Sequence, residues 1–305
     1  GVWYWCTDQY IVQRTLAANN IKIGRRGAIF GAYLKLLPIL IFLVPGIIAF
    51  ALSIQNPEVF SVDKADRAFP MLVKTLLSVG LKGLVAGGLM AALMSSLASV
   101  FNSCSTIFTI DIYKKLNPKK SEKSLLKTGK IATGFIVLLG ILWIPIMEKI
   151  GGGVMYQYLQ NVQSYIAPPV TAVFLLGIIW KRVNSTASIT TLLAGFILLV
   201  LRLGSEIFYQ TEISSDQVVP NIMYDFATIN FAHMAIFMFI FSVFLCITTS
   251  LVTSPPDYKS IVGLSFGTLT DKQKQDSEDS YDKVDVVLSI LLFILVIGIL
   301  CYFTG

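Results

Sequence analysis

The chain has 305 residues, 55% of them hydrophobic and only 14% charged, with a mean hydropathy of +0.72. That composition excludes a water-soluble globule, and several apolar runs reach the roughly 20 residues a helix needs to cross a bilayer. The net charge of +6 follows from where the basic residues lie along the chain, and it carries no argument for nucleic acid.

Taken in chain order, Gly1-Val2-Trp3-Tyr4-Trp5 opens in mid-helix with no initiating Met or leader, so residues 1–13 read as the inner part of a span. The chain is expected to be the C-terminal part of a longer protein. Tyr4 and Trp5 offer flat aromatic faces, which in membrane proteins are most often packing or interface anchors. Asp8 sits at or just before a helix end, where it reads as a cap or an ion-pair partner of Arg14. Spans follow at 28–52, 76–113, 131–147, 154–180, 186–208, 231–253 and 286–303. Alternating them places loops 14–27, 114–130, 181–185 and 254–285 on one side, with 4, 7, 2 and 4 of the chain's 24 basic residues. That side is expected to be cytoplasmic. The last of these loops also carries seven acids between Asp257 and Asp285 and reads as solvated.

Lys35 lies roughly 10 Å into the first of these spans, at 1.5 Å per residue. An ammonium at a helix centre costs about 2.5–3.5 kcal/mol on insertion scales. It either snorkels to the headgroups or donates hydrogen bonds into a wet cavity. Pro38 and Pro45 bend the same span or loosen its backbone bonding. In the next span, Ala92, Ser95, Ser96, Ser99, Asn102, Ser103 and Thr106 share one helical face, opposite Leu93, Leu97, Val100, Phe101, Cys104, Ile107 and Phe108. Two readings stand side by side. The small residues, with Gly83, Gly87 and Gly88, pack closely on another helix. Alternatively, the hydroxyls of Ser95 and Ser96 and the carbonyl of Ala92 contribute oxygens to a desolvated sodium ion.

The span 154–180 begins with Gln157, Gln160, Asn161, Gln163 and Ser164 and turns apolar after Pro169. Facing lipid, each of these groups would go unsatisfied at several kcal/mol, so they face protein or water. Amides suit a neutral polyol, offering donors and an acceptor without a charge to desolvate; interhelical glue is the other reading. Pro168-Pro169 is expected to break the helix near mid-membrane, where broken helices mark sites. Four scattered cysteines, a single histidine and the lack of a phosphate-binding glycine loop leave nothing that argues for an enzyme.

Trp3-Tyr-Trp-Cys-Thr-Asp-Gln9 with Ile11-Val-Gln-Arg14, Tyr33-Leu-Lys-Leu36, Ala91-Ala-Leu-Met-Ser-Ser-Leu-Ala-Ser99, Tyr158-Leu-Gln160 and Pro168-Pro169 together resemble the solute:sodium symporter family, within it the sodium/glucose cotransporters. The resemblance runs from residue 1 to about 185. It implies an all-α polytopic membrane protein of the LeuT-type inverted-repeat fold. Residues 1–208 would carry the second repeat, and residues 209–305 peripheral helices with the loop 254–285. It implies further that Tyr4 is the inner gate stacking under the sugar, that Trp5 supports it, and that Lys35 and Gln160 bond sugar hydroxyls. Ala92, Ser95 and Ser96 match this repeat's half of the sodium site, with Na+ as the coupling ion. Gln163 stands where relatives carry a shorter hydroxyl residue near the substrate, and Gly1 where they carry Asn or Thr. The implied function is sodium-coupled import of a hexose across the plasma membrane by alternating access, with the first repeat lying upstream. Inositol or another small solute is the alternative, as is a non-transporting sodium or sugar sensor.

Overall fold

The computed structural model describes residues 2–58, 60, 65–150, 155–209, 211, 213, 215 and 219–303, and among these every regular element is helical. The first helices are α1 Val2–Cys6, α2 Gln9–Leu16, α3 Ile21–Leu34, α4 Val44–Gln55, α5 Ala68–Leu76, α6 Val79–Thr106 and α7 Lys114–Leu116. They continue as α8 Glu122–Ile150, α9 Met155–Ile179, α10 Ser185–Phe208, α11 Ile222–Thr228, α12 Phe231–Val252, α13 Tyr258–Ile261, α14 Asp271–Asp279 and α15 Lys283–Phe303. Seven segments of the described chain are long and apolar enough to cross a membrane, and each coincides with one of the seven expected spans. The protein is a multi-pass helical membrane protein. Its chain divides into two compact units, Gly1–Pro38 with Tyr156–Gly305, and Ile39–Met155.

In the first unit, α1 stops at Cys6 because the chain folds back on one carbonyl. The Trp3 carbonyl accepts the Thr7 hydroxyl at 2.7 Å, the Thr7 amide at 3.0 Å and the Asp8 amide at 3.2 Å. Asp8 then opens α2 as its N-cap, accepting from the Tyr10 amide at 3.0 Å, so the cap reading of Asp8 holds. Asn20 caps α3 in the same way, accepting from Ile23 at 2.8 Å. The helix gives way at Lys35–Leu36, just ahead of Pro38. Proline has no amide to return to the carbonyl of Leu34, and it disfavours helical geometry in the residue before it.

The helix α9 corrects an expectation. Pro168 and Pro169 lie inside it without breaking it, and it runs unbroken to Ile179. Both rings are buried, and a Cβ on Gly195 of α10 would stand 2.5 Å from Pro169 Cγ. The prolines are thus clamped into a groove that the glycine leaves open, and packing sustains the helix where backbone bonding is lost. Tyr158, Tyr165 and Ala172, seven apart, form its buried stripe. Tyr165 packs with Met234 and Met238 of α12, flanked by Leu198, Leu199, Leu203 and Phe226.

The loop 254–285 is a second correction, for its acidic end is not simply solvated. Asp282 accepts from Arg26 at 2.6 Å and pairs with Lys22 at 3.1 Å, and the buried Asp285 takes the Arg26 Nε at 3.1 Å. Arg25 donates to the Ser280 carbonyl and hydroxyl at 2.9 and 3.0 Å, and the Tyr33 hydroxyl donates to the Leu288 carbonyl at 2.7 Å. The basic start of α3 therefore holds the start of α15. At the end of α12, Arg182 donates to the carbonyls of Ser250 and Leu251 at 3.2 and 3.1 Å, satisfying groups that a helix C-terminus leaves over.

In the second unit, α4 and α5 pack through Ala49 and Leu72 around Phe60. α6 passes through a π-helical turn, Ile107–Tyr113, and packs on α8. The close helix contact lies at the end of α6. Ser105 donates to the Gly129 carbonyl at 2.8 Å, and both Ser105 Oγ and Thr109 Oγ1 stand 3.5 Å from where a Gly129 Cβ would be. Gly83, Gly87 and Gly88, expected to pack closely, meet nothing within 4 Å at their Cβ positions among the described residues.

Candidate functional site

The break between α1 and α2 and the break after α3 bring three of the expected residues together. Tyr4 and Trp5 stand edge to face, with ring centroids 5.7 Å apart and planes at 85°. Lys35, at the C-cap of α3, places its Nζ 3.4 Å from the Tyr4 centroid and 5.4 Å from that of Trp5. The Trp5 ring lies against α3 at Gly31, one turn earlier, where a Cβ would be in ordinary contact 3.4 Å from it. Neither sequence reading of Lys35 described this. The ammonium is held on an aromatic face, an attraction of about 0.5–2 kcal/mol depending on desolvation. A ring face supplies no acceptor lone pair, so N–H groups of the ammonium turned away from it can still donate to another partner.

The amides lie on α9 in the same unit. Gln160 donates to the Tyr156 hydroxyl at 2.6 Å, which fixes its head group and leaves its carbonyl and second N–H for another partner. Gln163 is exposed, as is Gln157, whereas Ser164 is buried and bonds the Asn161 carbonyl at 2.6 Å. The five polar groups therefore separate, Ser164 satisfied by backbone, Gln160 held by Tyr156, Asn161 half-buried, and Gln157 and Gln163 exposed. A cleft of about 480 Å³ runs between Thr7, Gln9 and Val12 of the α1–α2 segment and Val170, Val173 and Phe174 of α9. Among the described residues no hydrogen bond or ring contact joins Gln160 or Gln163 to the Tyr4–Trp5–Lys35 cluster.

Ala92, Ser95 and Ser96 lie in regular helix midway along α6, all exposed within their unit. In unbroken helix the Ala92 carbonyl is the usual partner of the Ser96 amide, yet it retains a second lone pair. The Ser95 carbonyl also accepts from the Ser99 hydroxyl at 3.0 Å. The turn thus presents three uncharged oxygens, the Ala92 carbonyl and the Ser95 and Ser96 hydroxyls, with no carboxylate among them. The hydroxyl face continues into a cleft of about 520 Å³ lined by Asn102, Ser105, Thr106 and Thr109 with Lys114 and Lys130. Ser103 departs from the expected face by turning inward to a buried position. Gly1 lies outside the described residues.

Sequence reasoning missed one group entirely. Arg202 of α10 is buried and ion-paired to Glu206 at 3.0 Å, and Glu206 accepts from the Tyr165 hydroxyl at 2.5 Å. The signal was present, an Arg and a Glu four apart on a helix that otherwise reads as a plain span.

Broken helices that bring an aromatic–cation cluster together are a feature found in membrane transporters with discontinuous helices. Residues 2–195 match the model of the sodium:solute symporter family, and the chain belongs to that family. It is 38% identical over 286 residues to the sodium/myo-inositol cotransporter 2 of Sus scrofa, covering 89% of this chain and 42% of that protein. Identity is 41% over 278 residues to the sodium/myo-inositol cotransporter of Bos taurus, covering 87% of this chain and 38% of the relative. The sodium/glucose cotransporter 4 of Danio rerio is 34% identical over 296 residues, 93% of this chain and 45% of its own. The chain thus spans under half the length of the curated relatives it matches. All three relatives are cotransporters by name, in agreement with the expectation that the chain is no enzyme.

Proposed function

We propose that the chain supplies the second inverted repeat and the following peripheral helices of a LeuT-type symporter of the plasma membrane, which uses the sodium gradient to import a small neutral polyol. The first repeat, with the other half of both sites, would come from the additional length that the relatives possess. The observation that carries the reading is the convergence of Tyr4, Trp5 and Lys35 at two helix breaks. The cluster combines a flat face for stacking on a sugar ring with a cation able to donate to hydroxyls. Gln160 and Gln163 add neutral amides, and a lining of amides suits a polyol better than an anion.

In this mechanism sodium takes the Ala92 carbonyl and the Ser95 and Ser96 hydroxyls together with oxygens from the first repeat. Its binding favours the outward-open state and preorganises the polyol site. The membrane potential adds about 2.3 kcal/mol per charge per 100 mV to the drive. When the cavity opens inward, sodium leaves and Tyr4 swings aside to release the solute. Coupling needs only that each ligand bind the shared state better than the other state.

The substrate is read first as a glucose- or galactose-like hexose. A second reading, myo-inositol, is favoured by the 38% and 41% identity to relatives named for that solute. Sodium-dependent uptake by the full-length transporter over hexoses, myo-inositol, amino acids and carboxylates tests the proposal. A polyol should compete, and Gln160→Ala should raise its apparent KM about ten-fold. Competition by an amino acid or a carboxylate alone would end the reading.

A further inference from the structure

A guanidinium inside a span is costly, and Arg202 is almost wholly buried there. Its Nε donates to Glu206 at 3.0 Å and lies 3.2 Å from the Tyr165 hydroxyl, and its Nη2 donates to the Ile229 carbonyl, just past α11, at 2.9 Å. The Tyr165 and Phe226 rings flank it at 5.5 and 5.6 Å. One guanidinium therefore joins three elements, α9 through Tyr165, its own α10 through Glu206, and the α11–α12 junction through Ile229.

Stability does not explain such a group. Replacing a buried ion pair by apolar residues of similar volume is often neutral or stabilising, and the better-attested use of such pairs is to fix register. Here a register needs fixing. The apolar bed under Tyr165 is Met234 and Met238 with Leu198, Leu199 and Leu203, and methionine adapts to many packings. That bed buries α9 without choosing its rotation. Directional hydrogen bonds do choose. At about 100° per residue, Gln163 lies about 160° and Gln160 about 140° around the helix from Tyr165. Holding Tyr165 against α10 thus turns both glutamines away from it, in line with the buried Tyr165 and exposed Gln163.

We infer that Arg202 is a positioning residue for substrate recognition: acting through the Tyr165 hydroxyl, it sets the rotation of α9 and with it the direction in which Gln160 and Gln163 point. The inference rests on the polyol reading only in naming what those glutamines recognise.

Two measurements on the full-length transporter test it. The first compares sodium-dependent myo-inositol and glucose uptake, normalised to surface protein, for Tyr165→Phe and Arg202→Lys. Both should raise the apparent KM about ten-fold at a near-normal maximal rate and an unchanged sodium half-saturation. Lysine keeps the charge but cannot reach Glu206, Tyr165 and Ile229 together, so it should not rescue. The second follows the labelling rate of Gln163→Cys by a membrane-impermeant maleimide, with and without Tyr165→Phe, and the rate should change about five-fold. Tyr165→Phe loses only a hydroxyl, which keeps the test open if the Arg202 variant fails to fold. An unchanged labelling rate overturns the inference whatever the uptake shows, as does a KM at the wild-type value in an active transporter. Absent uptake in the wild type would remove the polyol reading alone, with the labelling rate still deciding the tether.

Discussion

At the scale of single residues, Lys35 is the position where chemistry and local structure meet most directly. It caps α3 ahead of Pro38 and rests its ammonium 3.4 Å from the Tyr4 ring centroid. A cation on a ring is worth about 0.5–2 kcal/mol, so Lys35→Met should free Tyr4 as well as remove a donor. We expect the apparent KM for polyol to rise between three- and thirty-fold in uptake assays, with Lys35→Arg recovering part of the loss because a guanidinium also stacks on aromatic faces. An unaltered KM in Lys35→Met would show that the cluster has no part in recognition. Ser96 makes a separable prediction. Ser96→Ala removes one of the hydroxyls proposed to ligate sodium, and the sodium half-saturation of the full-length transporter should rise about ten-fold, equivalent to about 1.4 kcal/mol, with the polyol KM at saturating sodium little changed.

At the scale of elements, the contact of α9 with α10 depends on Gly195, where any Cβ would fall 2.5 Å from Pro169 Cγ. Overpacking of this kind costs about 1–3 kcal/mol, so Gly195→Ala should lower the melting temperature in detergent, whereas Gly204→Ala, with nothing within 4 Å, should not. The attachment of α15 to α3 has its own pH signature. Asp282 is held below the usual carboxylate range by the Val284 amide first and by Lys22 next. A depressed carboxylate stabilises the fold above its unfolded pKa of about 3.9 and loses that contribution as pH falls through the lower folded value. The protection factor at the start of α15, the observed hydrogen exchange corrected for the intrinsic rate at each pH, should therefore stay constant from about pH 8 to pH 5 and fall only below about pH 4. Asp282→Asn should remove that pH dependence.

These elements also show where the sequence was readable. Apolar length alone located the seven candidate spans found among the described residues, because a bilayer demands about 20 apolar residues whatever their order. The cap at Asp8 and the loosening at Pro38 were legible because each acts on its own neighbours. Pro168-Pro169 misled for the opposite reason: what keeps α9 whole is Gly195, 26 residues further along in another helix. The pairing of Arg26 with Asp282 and Asp285 was hidden likewise, since charge counting gives the side of the membrane but not the partner. Tyr4, Trp5 and Lys35 were picked out one by one, and their meeting depends on two helix breaks that bring α1 and α3 together. Arg202 does not stand out in the sequence despite its spacing from Glu206, because the segment around it is apolar enough to read as a plain span.

At the scale of the whole molecule, the exposed apolar face of α15, including Val287, Ile290, Phe293 and Ile294, is suited to lipid. The Ala92–Ser95–Ser96 turn is exposed, as the proposed function requires if a further segment is to complete the ion site there. On the proposed function, in which another segment completes the sodium site, this chain should move nothing by itself. Reconstituted alone, these 305 residues should show no sodium-dependent uptake.

The most direct test of sodium-coupled symport is accumulation of labelled myo-inositol and glucose in proteoliposomes holding the full-length transporter, with an imposed inward sodium gradient and an inside-negative potential. The account predicts that at least one of these polyols accumulates above its external concentration, that accumulation collapses when sodium is equal on both sides at zero potential, and that external unlabelled polyol then exchanges with the label. Binding of polyol without accumulation or exchange would mark a sensor, and accumulation indifferent to sodium would contradict the coupling.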